Sequence, residues 1–119
     1  MPELSSKDIH QLAMGEVGKF LKENDYEFLA VNSQPKKNPQ FVCKREKQLF
    51  FIIVKGCLYP ENPKSFDGDR IAELKKHAES HKARLLFAGV GFANAEDYER
   101  TLTKNDTYVV NFDGLQTMD

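Results

Sequence analysis

Two histidines near the middle of the chain have the spacing of a metal site. His77 and His81 are four residues apart, so on a helix they would share one face and could hold a metal ion together. The residue after His77 is alanine, whereas the helical zinc-protease motif has glutamate there, and His10 is far away in the sequence. Two solvated histidines near the C-terminal end of a helix are therefore the alternative interpretation.

A second candidate for chemistry is the glycine-containing stretch AGVGFAN, which holds Gly89, Gly91 and Asn94. Glycines between a strand and a helix allow the backbone to approach a pyrophosphate, and Asp113, after the next predicted strand, could bind a ribose. The third glycine of that fingerprint is missing. A nucleotide-binding module and an ordinary tight turn are thus the two interpretations of this stretch.

Glu16 and Lys55 form the third candidate, because both are charged residues placed among apolar ones. At 100° per residue, Glu16 falls within the apolar face of the first predicted helix, where an unpaired carboxylate would be costly to bury. It therefore either reaches solvent at the edge of that face or has a functional or ion-paired role. Lys55 ends the apolar run LFFIIV, where it could act in chemistry or only mark the start of solvent.

Composition limits the kinds of function that these residues could serve. The chain has 119 residues, of which 40% are hydrophobic, so we expect one domain over residues 1–119. Its 17 basic and 18 acidic residues give a net charge of −1, which provides no global attraction to nucleic acid or to an anionic membrane. No signal peptide or membrane span is recognisable, which predicts a cytoplasmic protein with no membrane partner. Its two cysteines, Cys43 and Cys57, are expected to be reduced thiols, with a bridge between them as the alternative.

Local sequence signals predict the elements that position these residues. Ser5 and Asp8 form a capping box, flanked by Leu4 and Ile9 as a hydrophobic staple, and begin a helix that runs from about residue 6 to 23. Strands are then predicted at 26–32, 41–45 and 49–55, with a polar turn at 46–48. The third of these strands is apolar on both faces, as expected for a central strand covered by helices.

The second half of the chain continues with alternating helices and strands. After a long polar connection, we predict a helix at 69–81, a strand at 84–90 in parallel with the central strand, a short third helix, and a strand at 107–112. Asn94 would cap the third helix, which would include Tyr98 and Leu102, and the tail 113–119 would fray. The order α-β-β-β-α-β-α-β predicts an α/β fold, a three-layer α/β/α sandwich around a mixed central sheet of about five strands.

From Met14 to Gly56 the chain resembles the PD-(D/E)xK nuclease superfamily, which has the restriction-endonuclease-like fold. The resemblance is carried by MGEVGKFLKENDYEFLAVN and LFFIIVKG, and it is closest to small bacterial stand-alone members related to Holliday-junction resolvases. Those proteins combine a helix bearing GExxxxFL, a strand, an acid-bearing hairpin strand, and a strand that ends in E-V-K. The resemblance implies a single restriction-endonuclease-like domain.

Position by position, the resemblance implies a degenerate catalytic site. Glu16 and Lys55 match the helix glutamate and strand lysine of the family, but Ile53 replaces the metal-binding carboxylate two residues before the lysine. Gln40 stands where the family has its aspartate. Because magnesium needs charged oxygen ligands, we expect no bound metal or other cofactor and no catalysis. An active magnesium-dependent nuclease with a migrated carboxylate is the alternative; its candidate acids are Glu73 first, then Glu46, Glu61 and Asp67.

A basic segment around the predicted hairpin suggests what such a domain could still do. The segment contains one acid, Glu46, and five cations, which are Lys36, Lys37, Lys44, Arg45 and Lys47. Clustered cations of this kind can bind nucleic-acid phosphates, although a rim that only improves solubility would have the same composition. The sequence therefore predicts a catalytically inactive nuclease-like domain that binds nucleic acid or a protein partner, including a second copy of itself as a homodimer.

Overall fold

Two helices and one six-stranded sheet make up the part of the chain that the computed structural model describes, which is residues 4–32, 39–63 and 68–117. In chain order the elements are α1 (Ser6–Glu23), β1 (Glu27–Val31), β2 (Phe41–Arg45), β3 (Gln48–Leu58), α2 (Gly68–Ser80), β4 (Ala83–Asn94), β5 (Tyr108–Asn111) and β6 (Gln116–Thr117). The strands lie in the order β1-β2-β3-β4-β5, and β6 also pairs with β4. The pairing of β3 with β4 is parallel and the other pairings are antiparallel, so the predicted mixed sheet is confirmed.

Helix α1 begins at the predicted capping box. Asp8 N–H donates to Ser5 Oγ at 3.1 Å, and Ser5 N–H donates to the Asp8 carboxylate at 3.0 Å. These two bonds satisfy N–H groups that have no partner within the first turn of a helix. The predicted apolar stripe then turns Ala13, Val17 and Leu21 completely into the core.

Strands β2 and β3 form the predicted hairpin through a two-residue turn. Arg45 pairs with Gln48, and Glu46 and Lys47 between them have φ values of 51° and 69°. A turn with positive φ at both central residues matches the right-handed twist of the flanking strands. The turn therefore fixes the register of the hairpin and places its charged residues at one end of the sheet.

The two helices cover opposite faces of the sheet, which gives the predicted three layers. On β3, Ile52 and Val54 belong to the core beneath α1, whereas Phe51 and Ile53 belong to the core beneath α2. Alternate residues of a strand point to opposite faces, so a strand covered on both sides must be apolar throughout. The apolar run of β3 thus reflects its central position.

The predicted third helix is wrong, because the chain between β4 and β5 forms a loop. Strand β4 continues to Asn94, whose buried side chain accepts a hydrogen bond from Glu96 N–H at 3.0 Å and donates one to Thr101 O at 3.3 Å. These bonds hold the loop in place of a helical turn. Leu102 is buried nonetheless, and Tyr98 is exposed.

Several strand boundaries also differ from the prediction. Strand β3 extends to Leu58 and β4 to Asn94, so both are longer than their apolar runs. The tail was predicted to fray, but Gln116 pairs with Phe87 and Thr117 with Leu86 to form β6. Residues 118 and 119 lie outside the described part of the chain.

Candidate functional site

Gln40, the residue that the nuclease resemblance matches to an aspartate, has a structural role. It is 1% exposed, and its Oε1 accepts a hydrogen bond from the Val54 N–H at 2.8 Å. Its own N–H donates to Ile52 O at 3.1 Å, and its C=O accepts from Asn32 N–H at 2.7 Å. Gln40 thus links β3 to Asn32, the residue that follows β1. Its side-chain oxygen is the acceptor for the buried Val54 N–H.

Ile53 and Lys55 occupy the other two strand positions of the resemblance. Ile53 is buried in the core beneath α2. The Lys55 side chain is 31% exposed, and its Nζ lies 3.5 Å from the carboxylate of Glu61 in the connection after β3. Glu16 lies half-buried on α1. Lys55 therefore forms an ion pair with Glu61.

Glu61 is therefore the acid that best fits the migrated-carboxylate alternative. Glu73, the first candidate, lies exposed on α2, and Asp67 is outside the described residues. One carboxylate paired with a lysine is a poor magnesium site, because the ion takes several hard oxygen ligands. Residues 4–32, 39–63 and 68–117 contain no group of three or more histidine, cysteine, aspartate or glutamate side chains that could hold a metal ion. The donor set does not fit magnesium.

His77 and His81 lie at the C-terminal end of α2 and pack against an aromatic ring. Their ring centroids are 4.8 Å apart, and each lies within 5.5 Å of the Phe51 ring centroid. His81 Nδ1 is 3.0 Å from the His77 carbonyl oxygen and 3.0 Å from Ser80 Oγ. One ring nitrogen of His81 is thus used within the helix end.

Gly89 and Gly91 lie within β4, so the predicted glycine-rich turn is wrong. The chain at Pro63 passes directly over them, and a Cβ built on Gly89 would overlap the Pro63 carbonyl. Glycine is required there for close approach of two backbones. No helix begins between β4 and β5, so the strand–turn–helix geometry of a pyrophosphate site is missing from residues 83–117.

Arg45 of the hairpin borders a cleft at the end of the sheet where β3 and β4 begin. This arginine cleft has a volume of about 470 Å³, and its principal residues are Tyr26, Arg45, Phe50 and Arg84. The Arg45 guanidinium lies 5.1 Å from the Tyr26 ring centroid, and the rings of Tyr26 and Phe50 meet edge to face at 5.4 Å. Two arginines and two aromatic rings from four separate segments therefore line one cleft.

Arg84 and Lys82 are cations of this surface that sequence reasoning missed. Arg84 pairs with Phe50 in the parallel register, and Gln48 Nε2 donates to Lys82 O at 3.1 Å, so both lie beside the hairpin. Aligning the starts of the two predicted parallel strands could have revealed them. Lys36 and Lys37 lie outside the described residues. On β1, residues 41–50 and residues 82–84, the five cations Lys44, Arg45, Lys47, Lys82 and Arg84 exceed the two acids Glu27 and Glu46 by three charges.

Comparison with known proteins places the chain in a family. No curated protein matches it. The helices of the described residues include none that is long and apolar enough to cross a membrane. A family model described as a domain of unknown function, DUF8840, matches residues 7–118, which include nearly all of α1 and the whole of the sheet. The chain therefore belongs to the DUF8840 family of domains of unknown function.

Proposed function

We propose that this domain binds nucleic acid through the arginine cleft and does not cleave it. The observation that carries the proposal is the convergence of Arg45 and Arg84 on one aromatic-walled cleft. A guanidinium group can donate two parallel hydrogen bonds to a phosphate and remains charged at any working pH. Tyr26 and Phe50 add ring surface beside the two guanidinium groups, which suits a chain of bases and phosphates.

Two exposed lysines lie beside residues of the cleft: Lys47 lies between Glu46 and Gln48, and the C=O of Lys82 accepts from Gln48 Nε2. Lys44 is also exposed but lies on the other face of β2 from Arg45, because neighbouring strand residues point to opposite faces. Attraction to phosphate depends on the local field within a Debye length of about 8 Å at physiological salt, so a net charge of −1 for the whole chain does not oppose it. We infer an interface of modest affinity that weakens steeply with salt.

The positions of the nuclease resemblance support binding without cleavage. A metal-dependent reaction of the nuclease type would need carboxylates at positions 40 and 53. Position 40 is instead an amide that accepts from the Val54 N–H, and position 53 is a buried isoleucine. Lys55 and its partner Glu61 offer one cation and one carboxylate, which is too little to hold magnesium and activate water.

The proposal is tested by fluorescence anisotropy with labelled single-stranded DNA, single-stranded RNA and duplex DNA at several salt concentrations. The double variant Arg45→Gln/Arg84→Gln should weaken binding and reduce the slope of log K against log salt by about 1.4 to 1.8, the value for two lost phosphate contacts. The chain provides a matched control in its other two arginines. Arg70→Gln/Arg100→Gln makes the same charge change on α2 and in the β4–β5 loop, and it should leave both quantities unchanged.

Two outcomes would overturn parts of the proposal. Equal binding by the Arg45/Arg84 variant and the wild type, or no binding by the wild type at low salt, would remove the nucleic-acid interface. Cleavage of any of the three probes by wild-type protein with magnesium or manganese, lost in Lys55→Ala, would show instead that the protein is an active nuclease that depends on Lys55.

A further inference from the structure

A second cleft lies at the opposite end of the sheet from the arginine cleft, where β3 and β4 end. This tyrosine groove has a volume of about 310 Å³, and its principal residues are Tyr59, Pro63, Phe92, Tyr98, Val109 and Val110. Tyr59 and Tyr98 are 48% and 51% exposed, and their rings meet edge to face with centroids 5.5 Å apart. Two large aromatic side chains half in solvent, beside exposed valines, are an unusual arrangement unless something covers them.

One wall of the groove is the edge strand β5, whose outer backbone groups are available. Val110 faces Phe92, and the C=O of Phe92 accepts from Tyr59 N–H at 2.8 Å on the side away from β5. Just before β5 and in the same register, Thr107 O accepts a hydrogen bond from Ala95 N–H at 3.0 Å. Because bonded and non-bonded pairs alternate along an antiparallel ladder, Val110 points its N–H and C=O outward. No strand of the described residues pairs with this edge.

The rim of the groove is acidic. Glu61 lines it, and Glu96, Asp97 and Glu99 are exposed residues next to Tyr98 in the loop that carries this tyrosine. Two cations compensate in part: Lys55 lies 3.5 Å from Glu61, and Arg100 lies 3.0 Å from Glu96. Four acids against two cations leave a negative rim around an apolar floor, which is complementary to a positively charged ligand with apolar side chains.

A second copy of the chain would bring no positive charge to this edge. Val110 points its backbone groups outward and Val109 points them inward, so a β5–β5 ladder would have its two-fold axis at a residue, and pairing about Val110 would place Val109 opposite Asn111. The segment 106–113 contains two aspartates and neither lysine nor arginine. Charge therefore favours a basic strand from another protein over a β5–β5 dimer.

We propose that the tyrosine groove binds an extended basic segment of a partner protein, which adds to the outer edge of β5 as a further strand. Backbone hydrogen bonds to Val110 provide the pairing, and alternate side chains of the segment enter the groove. Lysine or arginine side chains of the segment contact the rings of Tyr59 and Tyr98 and the acids of the rim. This inference concerns a surface and a ligand separate from the nucleic-acid interface.

A library of displayed random peptides of about ten residues, long enough to form one strand, tests the proposal on the full chain. Selected peptides should be enriched in lysine and arginine at alternate positions, and their binding should be measured by anisotropy with synthetic copies. Two versions of a selected peptide can be made, with the backbone nitrogens methylated at either the odd-numbered or the even-numbered residues. Only one of the two should lose binding, because only one set of N–H groups faces β5. Selection without basic enrichment, or binding insensitive to either methylation pattern, would overturn the proposal.

Variants locate the binding on the chain. Val110→Pro removes an outward N–H and leaves the bonds to β4 in place, and Asp97→Asn/Glu99→Gln removes rim charge. Each should weaken binding of the selected peptides about tenfold or more, whereas Glu23→Gln/Glu73→Gln, the same charge change at two exposed helix positions, should not. Circular dichroism checks whether Val110→Pro is folded. If Val110→Pro is unfolded, Asp97→Asn/Glu99→Gln alone tests the groove.

Two further measurements distinguish peptide binding in the groove from nucleic-acid binding and from self-association. Arg45→Gln/Arg84→Gln should retain full peptide binding, so failure of the nucleic-acid interface and failure of the groove are distinguishable. Sedimentation of wild-type protein over a range of concentrations should show no association through the groove. Dimers that Val110→Pro abolishes would show that a second copy occupies this edge and would overturn the proposal.

Discussion

Replacing Gln40 with leucine should destabilise the fold without altering nucleic-acid binding. Leucine has nearly the volume of glutamine, so the buried space stays filled and the main change is the loss of the side-chain amide, with its acceptor oxygen and its N–H donors. That acceptor, Oε1, receives the Val54 N–H at 2.8 Å in a buried part of the sheet. The variant therefore isolates the structural role of Gln40 from any role inherited from a nuclease site.

The expected magnitude follows from the donor that is left behind. A buried N–H without a partner costs about 1 to 3 kcal/mol, and the backbone bonds of Gln40 to Ile52 and Asn32 remain. Gln48→Leu is a matched control, because Gln48 is half-buried and donates to the carbonyl oxygens of Leu49 and Lys82. Those oxygens can accept from water instead, so this change should cost less than about 1 kcal/mol.

Urea denaturation with linear extrapolation measures the free energy of unfolding of both variants. Anisotropy measures the binding of Gln40→Leu to single-stranded DNA; Gln48 lines the arginine cleft, so Gln48→Leu is a control for stability only. Gln40→Leu should lose stability with an unchanged slope against urea and should bind as the wild type does. If its free energy of unfolding lies within about 0.5 kcal/mol of the wild-type value, the Val54 N–H does not depend on Gln40 and the reasoning fails. If stability is kept and binding is lost, position 40 belongs to the functional surface.

Three further predictions concern the helix start, the crossing over β4 and a buried thiol. Ser5→Ala should lower the unfolding free energy by about 1 kcal/mol. Hydrogen bonds with Ser5, first of all from its backbone N–H, lower the pKa of the Asp8 carboxyl from 3.8. The ionised carboxylate therefore stabilises the fold above pH 3.8, and this contribution is lost as the pH falls through the folded-state pKa. Asp8→Asn should reduce the fall of Tm at acidic pH. Gly89→Ala should cost about 1 to 3 kcal/mol in urea denaturation, because its Cβ would displace the Pro63 backbone. Burial raises the pKa of Cys43 to about 11, so a disulfide reagent at neutral pH should label this thiol only after unfolding.

Sequence patterns predicted the elements whose signals are local. The capping box predicted the start of α1, and the continuous apolar run LFFIIV predicted a central strand, β3, whose side chains enter the cores on both sides of the sheet. Asn94 shows where this reasoning fails. An asparagine before an acidic stretch has the pattern of a helix cap, but the same side chain can stabilise a loop by bonding to backbone groups two and seven residues later. Whether a helix or a loop forms after Asn94 depends on where β4 ends and on the burial of Leu102, and the local sequence pattern shows neither of these.

The candidate surfaces depend still more on tertiary pairing. Lys44, Arg45 and Lys47 could be found from composition, whereas Arg84 joins them only through the parallel register of β4 with β3. The glycines of β4 were ambiguous for a similar reason. A glycine that approaches a phosphate and a glycine beneath a crossing backbone have the same sequence, and only the position of Pro63 distinguishes them.

The parallel pairing of β3 with β4 also has a consequence for the order of folding. Each residue of β3 from Leu49 to Leu58 pairs with a residue 34 positions later, whereas β2 and β3 are joined by a two-residue turn. Closing the longer loop costs conformational entropy before any of these pairs can form, so the β2–β3 hairpin can assemble first and β4 must dock onto it. Mutations on β4 should therefore slow folding most strongly where they weaken this docking, and lengthening the connection between β3 and α2 should slow it further with little change in native contacts.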